Sequence, residues 1–335
     1  MNHYVILRPG ACGTYRDALH SLLDNIQEHF RSEAAQSRHP VFVRFFLSDA
    51  QNQAAALRTA LDGRGWNIPA VSLVEQPPLD GSHITALVQT SDKHPDFLFH
   101  SLRLSEEEAA GRDSYAQSRL LFDKYLDIIR PLGLDLKTHC VRTWIYVRDI
   151  DANYAGLVKA RNDVFDREGL SHDTHYIAST GIGGATEGRS AVVAIDFLTY
   201  PAIRESDKTY LKALTHLSPT HDYGVAFERA VRISDGKIFI SGTASIDRHG
   251  QVLHEGDVLA QTDRLLENIS TLLAEGGSGL GRVPYFIIYL RDISDCAVVD
   301  AYMQQRFPDV PRVLLEARVC RPAWLIEMEC ETDNA

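Results

Sequence analysis

Residues 318–330, Arg-Val-Cys-Arg-Pro-Ala-Trp-Leu-Ile-Glu-Met-Glu-Cys, lie near the end of the 335-residue chain and decide its fold. After Pro322 the residues alternate in two sets, with Trp324, Ile326, Met328 and Cys330 in one and Leu325, Glu327 and Glu329 in the other. Strict alternation predicts a half-buried strand with one apolar face and one face that carries two carboxylates. Upstream, the same alternation puts Cys320 and Arg321 on opposite faces. Such a strand belongs either at a sheet edge over solvent or in the wall of a polar pocket.

The same order of elements occurs three times along the chain: a helix, a strand that ends in Asp, a second helix and another strand. The Asp-terminated strands are predicted at residues 41–49, 140–149 and 285–292. Each block closes with a further strand, at residues 84–89, 191–197 and 325–329. Repeated helix–strand blocks predict sheets with helices packed on one face, which is an α/β (α+β) fold.

Some regions depart from this regular order. A strand is predicted at residues 175–179, and the glycine-rich residues 182–188 are predicted to connect strands flexibly. Residues 200–223 are polar and aromatic without a period, which favours a binding loop or lid across the junction of the second and third blocks. A strand at residues 237–247 opens the third block, and the first block lacks a clear equivalent.

The repeat divides the chain into two predicted domains. Residues 1–220 form an N-terminal domain with blocks at about residues 1–92 and 95–205. Residues 221–335 form a C-terminal domain that carries the Glu327 strand.

Composition excludes several classes of protein. The formal net charge is −11 and no Lys/Arg cluster with interleaved aromatic residues occurs, so nucleic-acid binding is not expected. No apolar run reaches the ~20 residues that a bilayer requires, and the N-terminus reads as a strand rather than a signal peptide. The five cysteines fit a reducing cytoplasm. His172 and His175 are expected in a surface loop, and no metal site is predicted.

The repeat and its closing Glu-x-Glu strand resemble the RidA (YjgF) family, whose small subunits form trimers with pockets between neighbours. Three tandem blocks in one chain therefore resemble a pseudo-trimer. The chain is more similar still to the chorismatases, the FkbO-like enzymes. The residues that carry this resemblance are 223–229 (Tyr-Gly-Val-Ala-Phe-Glu-Arg), 240–247, 256–257 with Gln261, 289–292 and 319–327. The likeness is strong from about residue 220, moderate over residues 140–181 and faint in the first hundred residues.

The resemblance implies an enzyme that cleaves the enolpyruvyl ether of chorismate and releases pyruvate, with a small-molecule substrate and no cofactor. Glu327 matches the family's catalytic glutamate, which would protonate the terminal methylene carbon. Gly242 and Cys320 resemble the branch that forms 3-hydroxybenzoate. The candidates for binding the two substrate carboxylates are Arg142, Arg161, Tyr223 and Arg229. A pseudo-trimer in one chain is expected to be a monomer without nucleic-acid or membrane partners.

Two other functions stay open. A RidA-like imine deaminase would need a carboxylate-binding arginine just before the closing motif, where this chain aligns Val313, with Arg312 on the opposite face. A non-catalytic sensor of small molecules on the same fold is the other alternative. Within the chorismatases, the sequence leaves open whether the product is 3-hydroxybenzoate, 4-hydroxybenzoate or a dihydrodiol acid.

Overall fold

A computed structural model describes residues 1–333, except for the side chain of Tyr223. The first block comprises β1 (Asn2–Leu7), α1 (Tyr15–Ala34), β2 (His39–Leu47), α2 (Ala50–Arg64), β3 (Ala70–Glu75) and β4 (Ile84–Ser91). Its four strands lie in the order β1-β4-β2-β3. The β2–β3 pair is parallel and the other pairs are antiparallel.

The second block repeats this topology. It comprises β5 (Leu98–Leu102), α3 (Glu106–Ala109), α4 (Ser114–Ile129), α5 (Leu136–His139), β6 (Cys140–Val147), α6 (Ile150–Arg167), β7 (Ala178–Gly183) and β8 (Val193–Thr199). The strand order is β5-β8-β6-β7, again with one parallel pair, β6–β7.

The third block has the same four-strand core, extended by two strands. It comprises β9 (Lys208–Leu211), β10 (Ala230–Ile233), β11 (Ile238–Thr243), α7 (Val258–Glu275), β12 (Phe286–Leu290), α8 (Cys296–Arg306), β13 (Arg312–Glu316) and β14 (Ile326–Thr332). The order is β13-β12-β14-β11-β10-β9, and β12–β13 is the parallel pair. The predicted α+β fold of three tandem blocks is confirmed.

Helix α7 shows how the sequence determines these elements. The Asp257 carboxylate accepts a hydrogen bond from the backbone N–H of Ala260, which satisfies a donor that the first turn leaves unpaired. Leu265, Ile269 and Leu272 form one fully buried stripe against the sheet. The helix ends at Glu275, and Gly277 then takes a left-handed φ of 76°, which glycine adopts without steric cost.

The three sheets pack around a common centre. Short backbone bridges join their edges: Glu75 pairs with Ala185, Pro78 with Leu315, and Ala178 with Glu228. The repeat also relates residues inside the sheets, because the equivalent antiparallel strands of the three blocks pair in the same register. The equivalent opposed pairs are Arg44–Leu87, Trp144–Asp196 and Ile287–Glu329. All six residues are buried, so the centre of the pseudo-trimer is closed and contains charged groups.

Four predictions about individual elements were wrong. The strand expected at residues 175–179 is β7, Ala178–Gly183, so Ile182 and Gly183 of the supposed connection lie inside it. Residues 200–223 contain strand β9, which pairs with β10. The first block does have an opening strand, because β1 pairs with β4 as β11 pairs with β14. Strand β14 begins only at Ile326, since the backbone turns between Arg321 and Trp324.

None of the helices formed by residues 1–333 combines the length and the apolar character that a membrane span needs.

Candidate active site

A pocket with an empty volume of about 560 Å³ lies between the second and third blocks, and Glu327 stands in its wall. Helix α6 and strand β7 contribute residues from the second block. Strand β14, the end of β11 and two non-helical segments, residues 225–229 and 318–325, contribute residues from the third. We refer to this cavity as the Glu327 pocket.

Extended segments line the pocket with every second residue, because successive side chains of extended chain point to opposite sides. The lining residues from these segments are Ser179 and Gly181 of β7; Val225, Phe227 and Arg229; and Gly242, Ala244 and Ile246. Tyr154 and Arg161 lie seven residues apart on α6 and therefore share one helix face. The pocket is thus lined by extended segments, which contribute every second residue, and by a helix, which contributes residues seven positions apart.

Glu327 is a buried carboxyl, 4% exposed, on strand β14. The fully buried side chains of Ile326 and Met328 hold the strand from its other face. Burial, followed by the nearby negative charge of Glu329, raises the pKa of Glu327 to about 8. No described side chain forms a hydrogen bond or ion pair with its carboxyl group. Glu327 is therefore mostly protonated at neutral pH and can donate a proton into the pocket.

Gly242 provides the space for the Glu327 carboxyl. A Cβ atom built on this glycine would lie 2.0 Å from Glu327 Oε1 and 3.0 Å from Thr180 Cγ2. The Gly242 backbone N–H donates a hydrogen bond of 2.9 Å to Thr180 Oγ1, so the strand cannot easily move away. Any larger residue at this position would displace the carboxyl of Glu327.

Three guanidinium groups line the same pocket, those of Arg161, Arg229 and Arg321. Arg161 is 1% exposed, and its Nε and Nη2 atoms find no hydrogen-bond partner in the part of the chain that the structure describes. The Arg229 guanidinium donates to the carbonyl oxygen of Ser218 at 2.9 Å. The ring of Phe227 lies between Arg229, at 5.2 Å, and Arg161, at 6.0 Å. Such a cluster favours a ligand with more than one carboxylate.

Cys320 lies beside Glu327 in the pocket wall. Burial, and then the charge of Glu327, raise the pKa of the Cys320 thiol to about 12, so it stays uncharged at neutral pH. Burial also raises the pKa of Tyr154, whose hydroxyl neighbours this thiol. Neither group is a general base at neutral pH, and both are weak donors that shape the pocket.

Comparisons with known proteins point to one family. A family model described as Endoribonuclease L-PSP matches residues 219–332. A chorismatase from Streptomyces rapamycinicus is 29% identical over 286 residues, which cover 76% of this chain and 79% of the relative. A 3-hydroxybenzoate synthase from Streptomyces hygroscopicus is 28% identical over 218 residues, 56% of this chain and 62% of that relative.

A crystal structure of a chorismatase covers 99% of this chain and 98% of its own, with a TM-score of 0.70 and 20% sequence identity. At this identity the match shows the fold. The chain is similar in sequence to chorismatases over most of its length and shares the fold of the chorismatase structure. The Endoribonuclease L-PSP match falls on the third block and agrees with the RidA/YjgF-like fold of that block.

The structure brings most of the predicted site residues together. Glu327, Cys320, Gly242, Arg161 and Arg229 all line the Glu327 pocket. Arg142 does not line it. The side chain of Tyr223 lies outside the described residues, and its backbone ends a short 3-10 helix, Thr220–Tyr223.

Arg142 is instead paired with a carboxylate. Its Nη2 atom donates to Glu329 Oε2 at 2.9 Å and to Thr180 Oγ1 at 2.5 Å, and the residue is 2% exposed. The sequence correctly places Arg142 in a strand, β6. It does not reveal that the facing strand, β14, supplies the partner.

The sequence analysis did not predict the other nine residues of the described lining as site residues, among them Tyr154, Phe227, Arg321 and Trp324. Tyr154 could have been found from its seven-residue spacing to Arg161, and Phe227 from its two-residue spacing to Arg229. Arg321 was expected to face away from Cys320, but both line the pocket. The backbone turn from Arg321 to Trp324 ends the alternation there.

The position expected for a deaminase arginine does not belong to the pocket. Val313 is buried in β13, and Arg312 pairs its Nε atom with Asp300 Oδ1 at 2.8 Å. Neither residue lines the Glu327 pocket.

Proposed function

We propose that this protein is a chorismatase-type enzyme that cleaves the enolpyruvyl ether of chorismate to pyruvate and a hydroxybenzoate, with 3-hydroxybenzoate as the favoured product. One observation carries the proposal: the buried carboxyl of Glu327, whose pKa is raised by burial, lines the same pocket as the buried guanidinium of Arg161, whose Nε and Nη2 find no hydrogen-bond partner among the described residues. The named relatives, a chorismatase and a 3-hydroxybenzoate synthase, support the choice of substrate and product.

Chorismate is a dicarboxylate, and the pocket offers cations for both charges. Arg161, Arg229 and Arg321 are the candidates, and a bidentate guanidinium–carboxylate pair would also orient the ring. The carboxylate of the ligand would supply the hydrogen-bond partner that Arg161 lacks. Phe227 and Trp324 provide apolar surface for the ring between these cations.

In the proposed reaction Glu327 transfers its proton to the terminal methylene carbon of the enolpyruvyl group. The positive charge that develops on the ether carbon is relieved by attack of the neighbouring ring hydroxyl or of water. In the internal route the bond between that hydroxyl oxygen and the ring then breaks and the ring loses a C–H proton, so that the aromatic ring forms and pyruvate leaves with the transferred oxygen. In the hydrolytic route the hemiketal formed by water collapses to pyruvate and the ring alcohol. Together, 3-hydroxybenzoate and pyruvate contain all the atoms of chorismate, so the internal route consumes no water. The hydrolytic route to a dihydrodiol acid consumes one. General acid catalysis of this kind typically contributes about 10²–10⁴-fold.

The test is incubation of the purified protein with chorismate, with pyruvate measured by a coupled lactate dehydrogenase assay and the aromatic products identified by chromatography. Glu327→Gln keeps the volume of the side chain but removes its acidic proton, so pyruvate formation should fall by about 10²–10⁴-fold while chorismate still binds. A wild-type protein that binds chorismate without releasing pyruvate would refute the enzyme and support a sensor. A Glu327→Gln variant with near wild-type turnover would assign the proton to another residue.

A further inference from the structure

Glu329 lies two residues beyond Glu327 on the same face of β14, about 7 Å further along the strand. It does not line the pocket but points into the closed centre of the pseudo-trimer, where it is 3% exposed. A buried carboxylate at this depth is tolerated only when several donors hold it. Glu329 has donors from two other sheets.

The second block supplies the strongest of these donors. Arg142 Nη2 lies 2.9 Å from Glu329 Oε2, and the Trp144 indole N–H donates to Glu329 Oε1 at 2.8 Å. The first block adds Arg44, whose Nη1 lies 3.5 Å from the same Oε1 atom. Both guanidiniums stack on the Trp144 ring, at 5.0 Å for Arg142 and 4.5 Å for Arg44. These contacts pair the Glu329 carboxylate with two guanidinium groups and fix its position.

Several charged and titratable groups face Glu327 from the elements packed against it. They are Glu329 on its own strand, Tyr289 opposite it on β12, Arg142 on β6, Arg229, Cys320 and Arg321 from the third block, and Tyr154 and Arg161 on α6. Glu329 is the negative charge among the neighbours that raise the pKa of Glu327, whereas Arg142 and Arg229 lower it by smaller amounts. Since the pair Glu329–Arg142 is held together, removing either member changes the field at Glu327.

We propose that Glu329 is a positioning residue whose fixed negative charge, held by Arg142, Trp144 and Arg44, keeps the neighbouring Glu327 carboxyl in its proton-donating form. The pseudo-trimer centre thereby controls the chemistry of a pocket that it does not line. Hydrogen bonds also connect the two carboxyl groups structurally. Thr180 Oγ1 accepts hydrogen bonds from Arg142, which binds Glu329, and from the backbone N–H of Gly242, which the Glu327 carboxyl contacts.

The test measures the titration of Glu327 directly. Protein labelled with ¹³C at the glutamate side-chain carboxyl reports protonation through its chemical shift, and the signal that disappears in Glu327→Gln identifies Glu327. In Glu329→Gln, the midpoint of this signal should fall by about one to two pH units, because a like charge ~7 Å away is lost and Arg142 is left unopposed. An unchanged midpoint would overturn the proposal.

Two variants separate the charge from a mere packing defect. Glu329→Asp also disturbs packing but keeps the charge, so its midpoint should stay near the wild-type value. Glu331→Gln makes the same chemical change two residues further along the same face of β14, where Glu331 pairs with Lys237 at 2.8 Å. This variant should leave the Glu327 midpoint unchanged. A midpoint in Glu329→Asp as low as that in Glu329→Gln would refute a role of the charge.

In the enzyme proposed above, the same shift should appear in the rate. The alkaline limb of the pH–rate profile for pyruvate release, where Glu327 loses its proton, should move to lower pH in Glu329→Gln and not in Glu331→Gln. Only this second readout rests on the proposed function. If chorismate is not turned over but the NMR midpoint depends on Glu329, the proposed function fails and the control of Glu327 by Glu329 stands.

Discussion

At the scale of the residue, the raised pKa that suits Glu327 to the proposed proton transfer carries a cost in stability. A carboxyl whose pKa is higher in the folded protein contributes stability that is fully present below its ordinary pKa of 4.5 and is lost as the pH rises through about 8. The full loss corresponds to several kcal/mol, at most about 5. A buried acid that is suited to donate a proton is therefore one that destabilises the fold once it has done so.

Glu327→Gln should consequently gain stability relative to the wild type as the pH increases. We expect the two proteins to have similar unfolding free energies near pH 4.5 and the variant to be more stable by several kcal/mol at about pH 9. Urea unfolding at a series of pH values measures the difference. A difference that stays constant from pH 4.5 to pH 9 would contradict the raised pKa.

Cys320 offers a second prediction at this scale, about product choice. Because the uncharged thiol fills the pocket wall beside Glu327, Cys320→Ala leaves room for a water molecule near the reacting carbon. Pyruvate release should persist, while the aromatic product shifts from 3-hydroxybenzoate towards the dihydrodiol acid. Chromatography measures the ratio of the two aromatic products. An unchanged ratio would show that Cys320 only packs in the pocket wall.

At the scale of the element, the pocket depends on how closely strand β11 approaches β14. The two strands pair with a register shift between Ile240 and Thr243, and Gly242 lies within that irregularity. The irregular pairing brings the Gly242 backbone under the Glu327 carboxyl, where no side chain fits. The requirement for glycine here comes from this close approach rather than from backbone strain, since Gly242 does not have a positive φ.

Gly242→Ala should displace the Glu327 carboxyl and slow pyruvate release by about 10²-fold, because a misplacement of ~1 Å costs this much in catalysis. The expression and folding of the variant should be checked by circular dichroism. The matched control is Gly279→Ala, where a Cβ atom meets nothing within 4 Å. Equal activity of both alanine variants would show that Glu327 tolerates the methyl group and that the close approach has no catalytic role.

Helix α6 illustrates a second relation between elements. It lies in the second block and begins after Asp149, whose φ of 45° is left-handed and whose side chain makes no capping hydrogen bond. Its inner face carries Arg161 into a pocket whose acid comes from the third block. Neither block alone therefore contains all the residues that line the site.

At the scale of the whole molecule, the three blocks share one backbone topology but differ in the side chains at equivalent positions. In the third block Glu327 lies opposite Tyr289 on the neighbouring strand. The equivalent of Glu327 is Ala194 in the second block, where it lies opposite Tyr146. In the first block it is Thr85, which lies opposite Phe46. The cleft between the first and second blocks has an empty volume of about 1240 Å³ and is lined by Leu61, Val71 and Leu73, among others. These residues stand where the Glu327 pocket has Arg161, Ser179 and Gly181.

We therefore predict one chorismate site per chain. Isothermal titration of the inactive Glu327→Gln variant with chorismate should give a stoichiometry of one, because the equivalent cleft replaces an arginine and two small residues with aliphatic side chains. Arg161→Met in the same background should abolish the heat of binding. A stoichiometry of two or more would show that a second cleft binds the dianion, with Arg58 and Arg103 of the cleft between the first and second blocks as the candidate cations.

The sequence by itself determined the repeat, the α+β fold, the alternation along β14 and the place of Glu327 on its charged face. Periodicity encodes these features because it reports which side of its own strand or helix a residue occupies. It cannot report which element of another block lies opposite, since that depends on packing between residues distant in the chain. Only the tertiary structure could pair Arg142 with Glu329, bring Arg161 into the pocket of Glu327, and turn the backbone after Cys320 so that Arg321 joins the same pocket.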